Sequence, residues 1–290
     1  MLLKYLINMD RKTKIIATVG PSLSSESKIK KIIDAGANVL RINFSHGTLE
    51  DHENVISWAR KSNKQVAIMQ DIQGPKIRTG ISSENTFLEK SKNVTLTNIE
   101  TESNNDIVFI NYENLLRDVN VDDRVFIDDG QIVLKVVEKE NDKLEALILI
   151  GGELRDNQGV AFPDSNLSVS AITEKDKEHL KFGSEHDVDF VAVSFVRNAS
   201  DIKLVKELIP KDIKVIAKIE LKTALDNIDE ILDVADGVMV ARGDLGVQLP
   251  LEQVPFVQKQ ILDAANKRGK ISITATEMLQ SMKKIGRAHV

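Results

Sequence analysis

The chain has 290 residues, 42% apolar and 29% charged, a balance that supports a folded core and excludes a disordered chain; one α/β barrel or two domains would both fit the length. Its 39 basic and 44 acidic side chains leave a formal charge of −5, which disfavours nucleic acid as a partner, and the lack of cysteine excludes disulfides, thiolate catalysis and zinc-thiolate sites while suiting the cytoplasm. No apolar run approaches the roughly 20 residues that span a bilayer, so no membrane partner is expected.

Residues 1–9 are apolar but lack the basic start and small-residue cleavage site of a signal peptide, and Met9 is a second candidate start. From Lys12 onward, β-branched runs alternate with amphipathic stretches, the rhythm of βα units around a parallel sheet. The first strand falls at 13–19, and the helix after it carries Ile29, Ile32 and Ile33 on one face and stops at Gly36. A second strand at 39–44 leads to a helix opened by Thr48 and Asp51 in capping-box spacing, burying Val55, Ile56 and Ala59, and then to a strand at 65–69.

Between Gly80 and about Ser170 the helical period disappears and alternating strands take over, including 124–134 with a turn signal at Asp129 and Gly130, and 144–150. The βα rhythm resumes with a helix capped by Thr173 and strands at 190–195, 214–219, 237–241 and 271–275. The intervening helices run over Ile202, Val205 and Leu208, then through Leu225, Ile228, Ile231 and Leu232, then from Pro255. The expected organisation is a barrel domain at 1–79, an inserted all-β domain at 80–170, and the second part of the barrel at 171–290.

Chemistry in such folds sits where strands end, because the loops there converge on one face. The strands here end in Arg41, Asn43 and Ser45; Asp71; Ser194 and Arg197; Lys218 and Glu220; Arg242 and Asp244; Thr274 and Thr276. Any one exit meets water and is polar for that reason alone. Six polar exits of seven, mixing cations with carboxylates, suit a phosphate held through a divalent metal.

Glu220 and Asp244 end consecutive strands, and magnesium takes one or two protein carboxylates while keeping its other positions for water and substrate. Ordinary ion pairs with Arg or Lys are the alternative. Lys218 lies two residues before Glu220, on the same side of the strand, where opposite charges about 4 Å apart attract by roughly 4 kcal/mol at an effective dielectric near 20. Arg41 can clamp phosphate oxygens bidentately, and Asn43 with Ser45 offer neutral oxygens to a metal or alkali ion. His46 next to Gly47 is a candidate nucleotide contact, whereas His52, His179 and His186 read as helix-surface or loop positions without a role. Thr276 could hold a water or proton relay, although threonine is ordinary at a strand exit.

Taken as strings, these exits resemble pyruvate kinases in order from Arg11 to Met282. The strings are Arg11-Lys-Thr-Lys-Ile-Ile-Ala-Thr-Val-Gly-Pro21, Arg41-Ile-Asn-Phe-Ser-His-Gly47, Gly74-Pro-Lys-Ile-Arg-Thr-Gly80, Ile127-Asp-Asp-Gly130, Ala217-Lys-Ile-Glu220, Met239-Val-Ala-Arg-Gly-Asp-Leu-Gly246 and Thr274-Ala-Thr-Glu-Met-Leu279. The resemblance implies an α/β fold, a (β/α)8 TIM-type barrel interrupted after its third strand by an all-β lid domain, with phosphoenolpyruvate and ADP or ATP bound where the two meet. It implies transfer of a phosphoryl group from phosphoenolpyruvate to ADP, giving ATP and pyruvate.

By the same resemblance Lys218, Arg41 and Thr276 are catalytic. Arg41, Lys218, Gly243, Asp244 and Thr276 bind substrate, and His46 and Arg78 contact the nucleotide. Glu220 and Asp244, with Asn43, Ser45 and Asp71, are the metal set for magnesium or manganese. Lys76 resembles the group of family members whose tethered ammonium substitutes for a bound alkali ion, so no potassium requirement is expected. Full-length members are usually homo-oligomers.

Three departures are expected to matter. Leu221 to Ala224 replace the family's usual Asn-x-Glu-Gly after the metal ligand, Asn157 and Gln158 replace basic residues before Gly159, and residues 285–290 do not read as the family continuation. A barrel lacking its last strand would expose two edges, so this polypeptide is expected to be inactive or to aggregate. The competing readings are another magnesium-dependent phosphoenolpyruvate or pyruvate barrel, an aldolase or lyase, and a non-catalytic nucleotide-binding remnant. An inserted domain closing over a nucleotide has a role in phosphotransfer and none in simple carbon bond cleavage.

Overall fold

In the computed structural model, which describes residues 12–62 and 64–276, the chain begins with strands β1 (Ile16–Val19), β2 (Val39–Asn43) and β3 (Ala67–Ile72). Strands β4 (Phe87–Leu88), β5 (Asn93–Thr97), β6 (Ile107–Phe109), β7 (Arg124–Ile127), β8 (Ile132–Lys139), β9 (Leu144–Ile150), β10 (Gly152–Glu153) and β11 (Val160–Ala161) follow. The chain then returns to β12 (Phe190–Val193), β13 (Lys214–Ile219), β14 (Gly237–Val240) and β15 (Ile271–Thr274). The expectations for residues 1–9 and for those after Thr276 lie outside the described residues.

β1, β2, β3, β12, β13, β14 and β15 form one curled sheet in that order, parallel at every pairing. All seven parallel strands expected from the sequence are present, and β3 lies beside β12 although the second sheet separates them in the chain. Alternation along each strand sorts the side chains. Leu40, Ile42, Ile68, Val191, Val215 and Val238 belong to the large core beneath the helices. Met69, Ala192, Ile216 and Met239 form a separate cluster with Ile16, Val39 and Ile273 on the other face. One step of two residues further on, that face presents Arg41, Asp71, Ser194 and Lys218, so an apolar floor lies directly under the polar groups.

Helix boundaries follow local chemistry. The helix Glu26–Asp34 buries Ile29 and Ile33 and is followed by Gly36 at φ 107°, a backbone region that favours glycine. Helices Leu49–Arg60 and Glu174–Glu185 each open on a complete capping box, Thr48 with Asp51 and Thr173 with Asp176. The single helix expected through Leu225 and Leu232 is instead two, Lys222–Asp226 and Ile228–Val234. They break at Asn227, whose side-chain amide donates to the Arg197 carbonyl at 2.9 Å instead of facing solvent on a continuous helix.

The second sheet has the order β11-β7-β8-β9-β5-β6, with β4 and β10 paired beside it, and it encloses its own core around Leu96, Ile127, Leu134 and Ala146. Its β7–β8 hairpin turns through Asp128, Asp129 and Gly130, all at positive φ. The segment is not purely β, because a helical turn, Leu115–Asp118, lies between β6 and β7.

His52 and His179 are not surface residues. They are 6% and 7% exposed, and their rings pack on Phe44 at 4.1 and 5.1 Å between centroids. Burial is the first cause of a lowered pKa at both; mutual repulsion adds to it at His52 and Lys175 at His179, against the opposing pull of Asp51, Asp176 and Glu178. The folded state therefore binds fewer protons than the unfolded one, and stability present above the ordinary histidine pKa of about 6.5 is lost as pH falls below it. The thermal midpoint is expected to drop between about pH 7.5 and about pH 5.5, and His52→Phe to flatten the drop. A midpoint constant over that range contradicts this reading.

Candidate active site

Arg41 on β2 donates from Nε to Asp71 Oδ2 at 2.6 Å and from Nη1 to Thr18 Oγ1 at 3.1 Å. Lys218 Nζ on β13 lies 2.8 Å from Glu220 Oε1, 2.7 Å from Ser194 Oγ and 3.3 Å from Asp71 Oδ1. An ammonium has three donors, so all are engaged. Ser194 gives its own proton to the Ile72 carbonyl at 2.8 Å, which leaves its oxygen facing Lys218 as an acceptor.

Burial works against the charge on Lys218, but Glu220 and then Asp71 outweigh it, and its pKa lies above the ordinary lysine value. Burial raises the pKa of Glu220, with Asp244 adding to the rise against the pull of Lys218. Asp244 is accessible to solvent yet walled by the cleft; desolvation raises its pKa, Lys218 opposes this, and Asp129 adds to it. A divalent cation between Glu220 and Asp244 would relieve both shifts.

The second oxygen of Glu220 accepts from the Phe195 amide at 2.7 Å. Phe195 sits at φ 55°, a region that costs a non-glycine residue roughly 1–3 kcal/mol, so the surrounding contacts hold this loop against its own preference. After β14, the helix Arg242–Gln248 brings Gly243 and Asp244 into its first turn. Arg242 fixes that helix to the exit of β15 by donating to the carbonyls of Ala275 and Thr276. One cavity is lined by Arg41, Lys218, Gly243, Asp244 and Thr276, with Asp129 from the β7–β8 turn at its edge.

A second cavity lies between the sheets, with Lys76, Asp129, Glu220 and Asp244 at its charged end and Phe126 and Phe162 among its apolar walls. Lys76 has a lowered pKa, from partial desolvation first and Arg78 next, with Asp129, Asp244 and Glu220 opposing. Its ammonium therefore sits in the field of three carboxylates.

Arg41, Asp71, Lys218 and Glu220 thus form one chain of direct contacts, and Gly243, Asp244 and Thr276 share a cavity with it. The remaining candidates are placed differently. Asn43 spends its side-chain oxygen on the Ser45 amide at 3.0 Å, and His46 is exposed on the following turn. Arg78 lies against the second sheet, donating to the Asn157 carbonyl at 2.7 Å. Within the contact chain itself, the carboxylate of Asp71 is taken up by Arg41 and Lys218. Sequence reasoning assigned no role to Ser194, Asp129 or the Phe195 amide; the polar strand exit and the Asp-Asp-Gly turn were the available signals for the first two, and the third has none.

The family model described as pyruvate kinase, barrel domain, matches residues 10–289. A curated pyruvate kinase from Staphylococcus aureus (strain MRSA252) is 45% identical over 288 residues, covering 96% of this chain and 49% of that protein. One from Thermotoga maritima is 44% identical over 280 residues, covering 94% of this chain and 60% of that protein. The chain spans about half the length of the curated relatives it matches.

Lys218→Met leaves Glu220 and Asp71 without their shared buried cation, a loss expected to cost about 3–5 kcal/mol near neutral pH. Without the ammonium the pKa of Glu220 rises further, so the folded variant keeps a proton that the unfolded chain releases. The cost should therefore shrink as pH falls toward about 5.5. Urea melts at the two pH values measure it, and a cost below about 1 kcal/mol at both would show the pairs to be energetically idle.

Proposed function

Because this chain belongs to the pyruvate kinase family of transferases, we propose that its cleft moves the phosphoryl group of phosphoenolpyruvate to ADP, as a step of glycolysis in the cytoplasm. The observation that carries this reading is a buried ammonium, Lys218, held 2.8 Å from Glu220 in a cavity it shares with Arg41 and Asp244. Transfers of this kind need positioning and charge stabilisation more than covalent help from the protein.

Glu220 and Asp244 are the pair suited to magnesium or manganese. Among the described residues no group of three or more His, Asp or Glu is placed to hold a metal, and two carboxylates fit an ion that keeps its other positions for water and substrate oxygens. When bound, the ion neutralises charge on the moving phosphoryl group. Lys218 then exchanges one of its three present acceptors for a substrate oxygen and stabilises the enolate left behind. Arg41 grips phosphate oxygens with the guanidinium face not spent on Asp71. The Gly243 and Asp244 amides receive the substrate carboxylate. Thr276, which lines the same cavity, is the residue assigned to protonation of the enolate to pyruvate. The second sheet acts as the lid of a (β/α)8 barrel, with His46 and Arg78 as nucleotide contacts.

Lys76 takes the place of an alkali ion. Support comes from its position among Asp129, Asp244 and Glu220, where a tethered ammonium supplies the positive charge a bound monovalent cation would bring. Pyruvate release from phosphoenolpyruvate and ADP with magnesium should proceed equally in sodium and potassium. Lys218→Met should lower kcat by about 100-fold or more, and Lys76→Met should create a potassium requirement. Turnover unaffected by Lys218→Met would refute the assignment, and strong potassium stimulation of the unaltered protein would refute the role of Lys76.

A further inference from the structure

The loop 194–197, just past β12, touches four things at once. The Ser194 hydroxyl accepts from Lys218, and the Phe195 amide donates to Glu220. The outgoing crossover to the second sheet packs on it at Gly74, where an added Cβ would lie 3.1 Å from the Phe195 ring and 3.2 Å from the Ser194 carbonyl oxygen. The return crossover is held by Arg197, whose Nη1 donates to the Leu167 carbonyl at 2.7 Å.

Arg197 is itself braced by two residues, Asp201 and Asn227. Asp201 accepts its backbone amide at 2.9 Å and its Nε at 3.4 Å, Asp201 Oδ1 lies 3.4 Å from its Nη2, and its own carbonyl accepts from Asn227. Asp201 is buried at 7% exposure, so the brace is anchored inside the curled sheet's layer of helices and not on its surface. The guanidinium also lines the cavity between the sheets.

We propose that Arg197 is a positioning residue that couples the placement of the second sheet to the geometry of Lys218 and Glu220 through the loop 194–197. The loop cannot relax freely, because Phe195 is held at positive φ and both crossovers bear on it. If Arg197 releases Leu167, the return crossover loses its tie to the curled sheet. The second sheet, carrying Asp129, then samples several positions over Glu220 and Asp244. The consequence for turnover rests on the phosphotransfer reading above; the coupling itself does not.

The cysteine-free chain allows a direct test. Nitroxide labels at Lys31→Cys, on a curled-sheet helix, and Glu140→Cys, at the end of β8, report the distance between the sheets by double electron–electron resonance. The unaltered protein and Arg197→Lys are expected to give the same distribution, and Arg197→Met a clearly broader one with added peaks. The magnesium dissociation constant, read by calorimetry without substrate, should be several-fold higher in Arg197→Met and restored in Arg197→Lys. A distribution no broader than that of the unaltered protein, with unaltered magnesium binding, in Arg197→Met overturns the proposal. If circular dichroism shows that Arg197→Met has not folded, Asn227→Ala, which removes only the brace on the Arg197 carbonyl, must broaden the distribution or the proposal fails. Neither readout requires phosphotransfer, so loss of catalytic activity in the parent protein would count against the functional reading alone.

Discussion

Everything at the strand exits depends on keeping one ammonium charged in a place that water scarcely reaches. Lys218 is 9% exposed, and an unpaired charge there would be costly enough for the lysine to lose its proton. Glu220 and Asp71 prevent this, but Asp71 is shared with Arg41, so the four groups balance as two cations and two carboxylates. Asp244 then adds a negative charge that nothing in that group of four cancels. That surplus faces the ammonium of Lys76, on which Asp244, Asp129 and Glu220 all act.

The floor beneath that charge network is as much a requirement as the charges. Met69, Ala192, Ile216 and Met239 fill the inner face one residue pair below Asp71, Ser194, Lys218 and Ala241, so the network stands on an apolar layer. Strand period alone explains this layering, and the same alternation made the strand exits legible in the sequence. Lys218 and Glu220 read as one-sided because two residues separate them. Arg41 and Asp71 meet because β2 and β3 are parallel neighbours, with Arg41 in register with Met69 and Asn43 with Asp71. The capping boxes at Thr48 and Thr173 were legible for a similar reason, since both partners lie within one helical turn.

What the sequence could not reveal is of longer range. Nothing near His52 or His179 shows that both rings close on Phe44, because the two helices that carry them meet only in the fold. Their polarity argued for the surface, and an aromatic neighbour from a third element overrode it. Asp129 was legible as a turn residue and not as a neighbour of Asp244, since that residue lies on the helix after β14, far along the chain. Asp71 was legible as an oxygen ligand; that two cations would already hold it depends on the sheet order, which puts β2 beside β3 and only β12 between β3 and β13.

The position of the inserted sheet follows from the same topology. It leaves after β3 and returns ahead of β12, and these strands are adjacent, with Ile72 in register with Val193. Both crossovers must therefore pass the exits of two neighbouring strands, and the exit loop of β12 is the ground they share. That loop also contacts Lys218 and Glu220 on the next strand over. An insertion at any other break in the sheet would place its crossovers beside a different pair of exits. Here one short loop holds both sets of contacts, Ser194 and Phe195 on the buried ammonium and its carboxylate, and Arg197 on the return crossover.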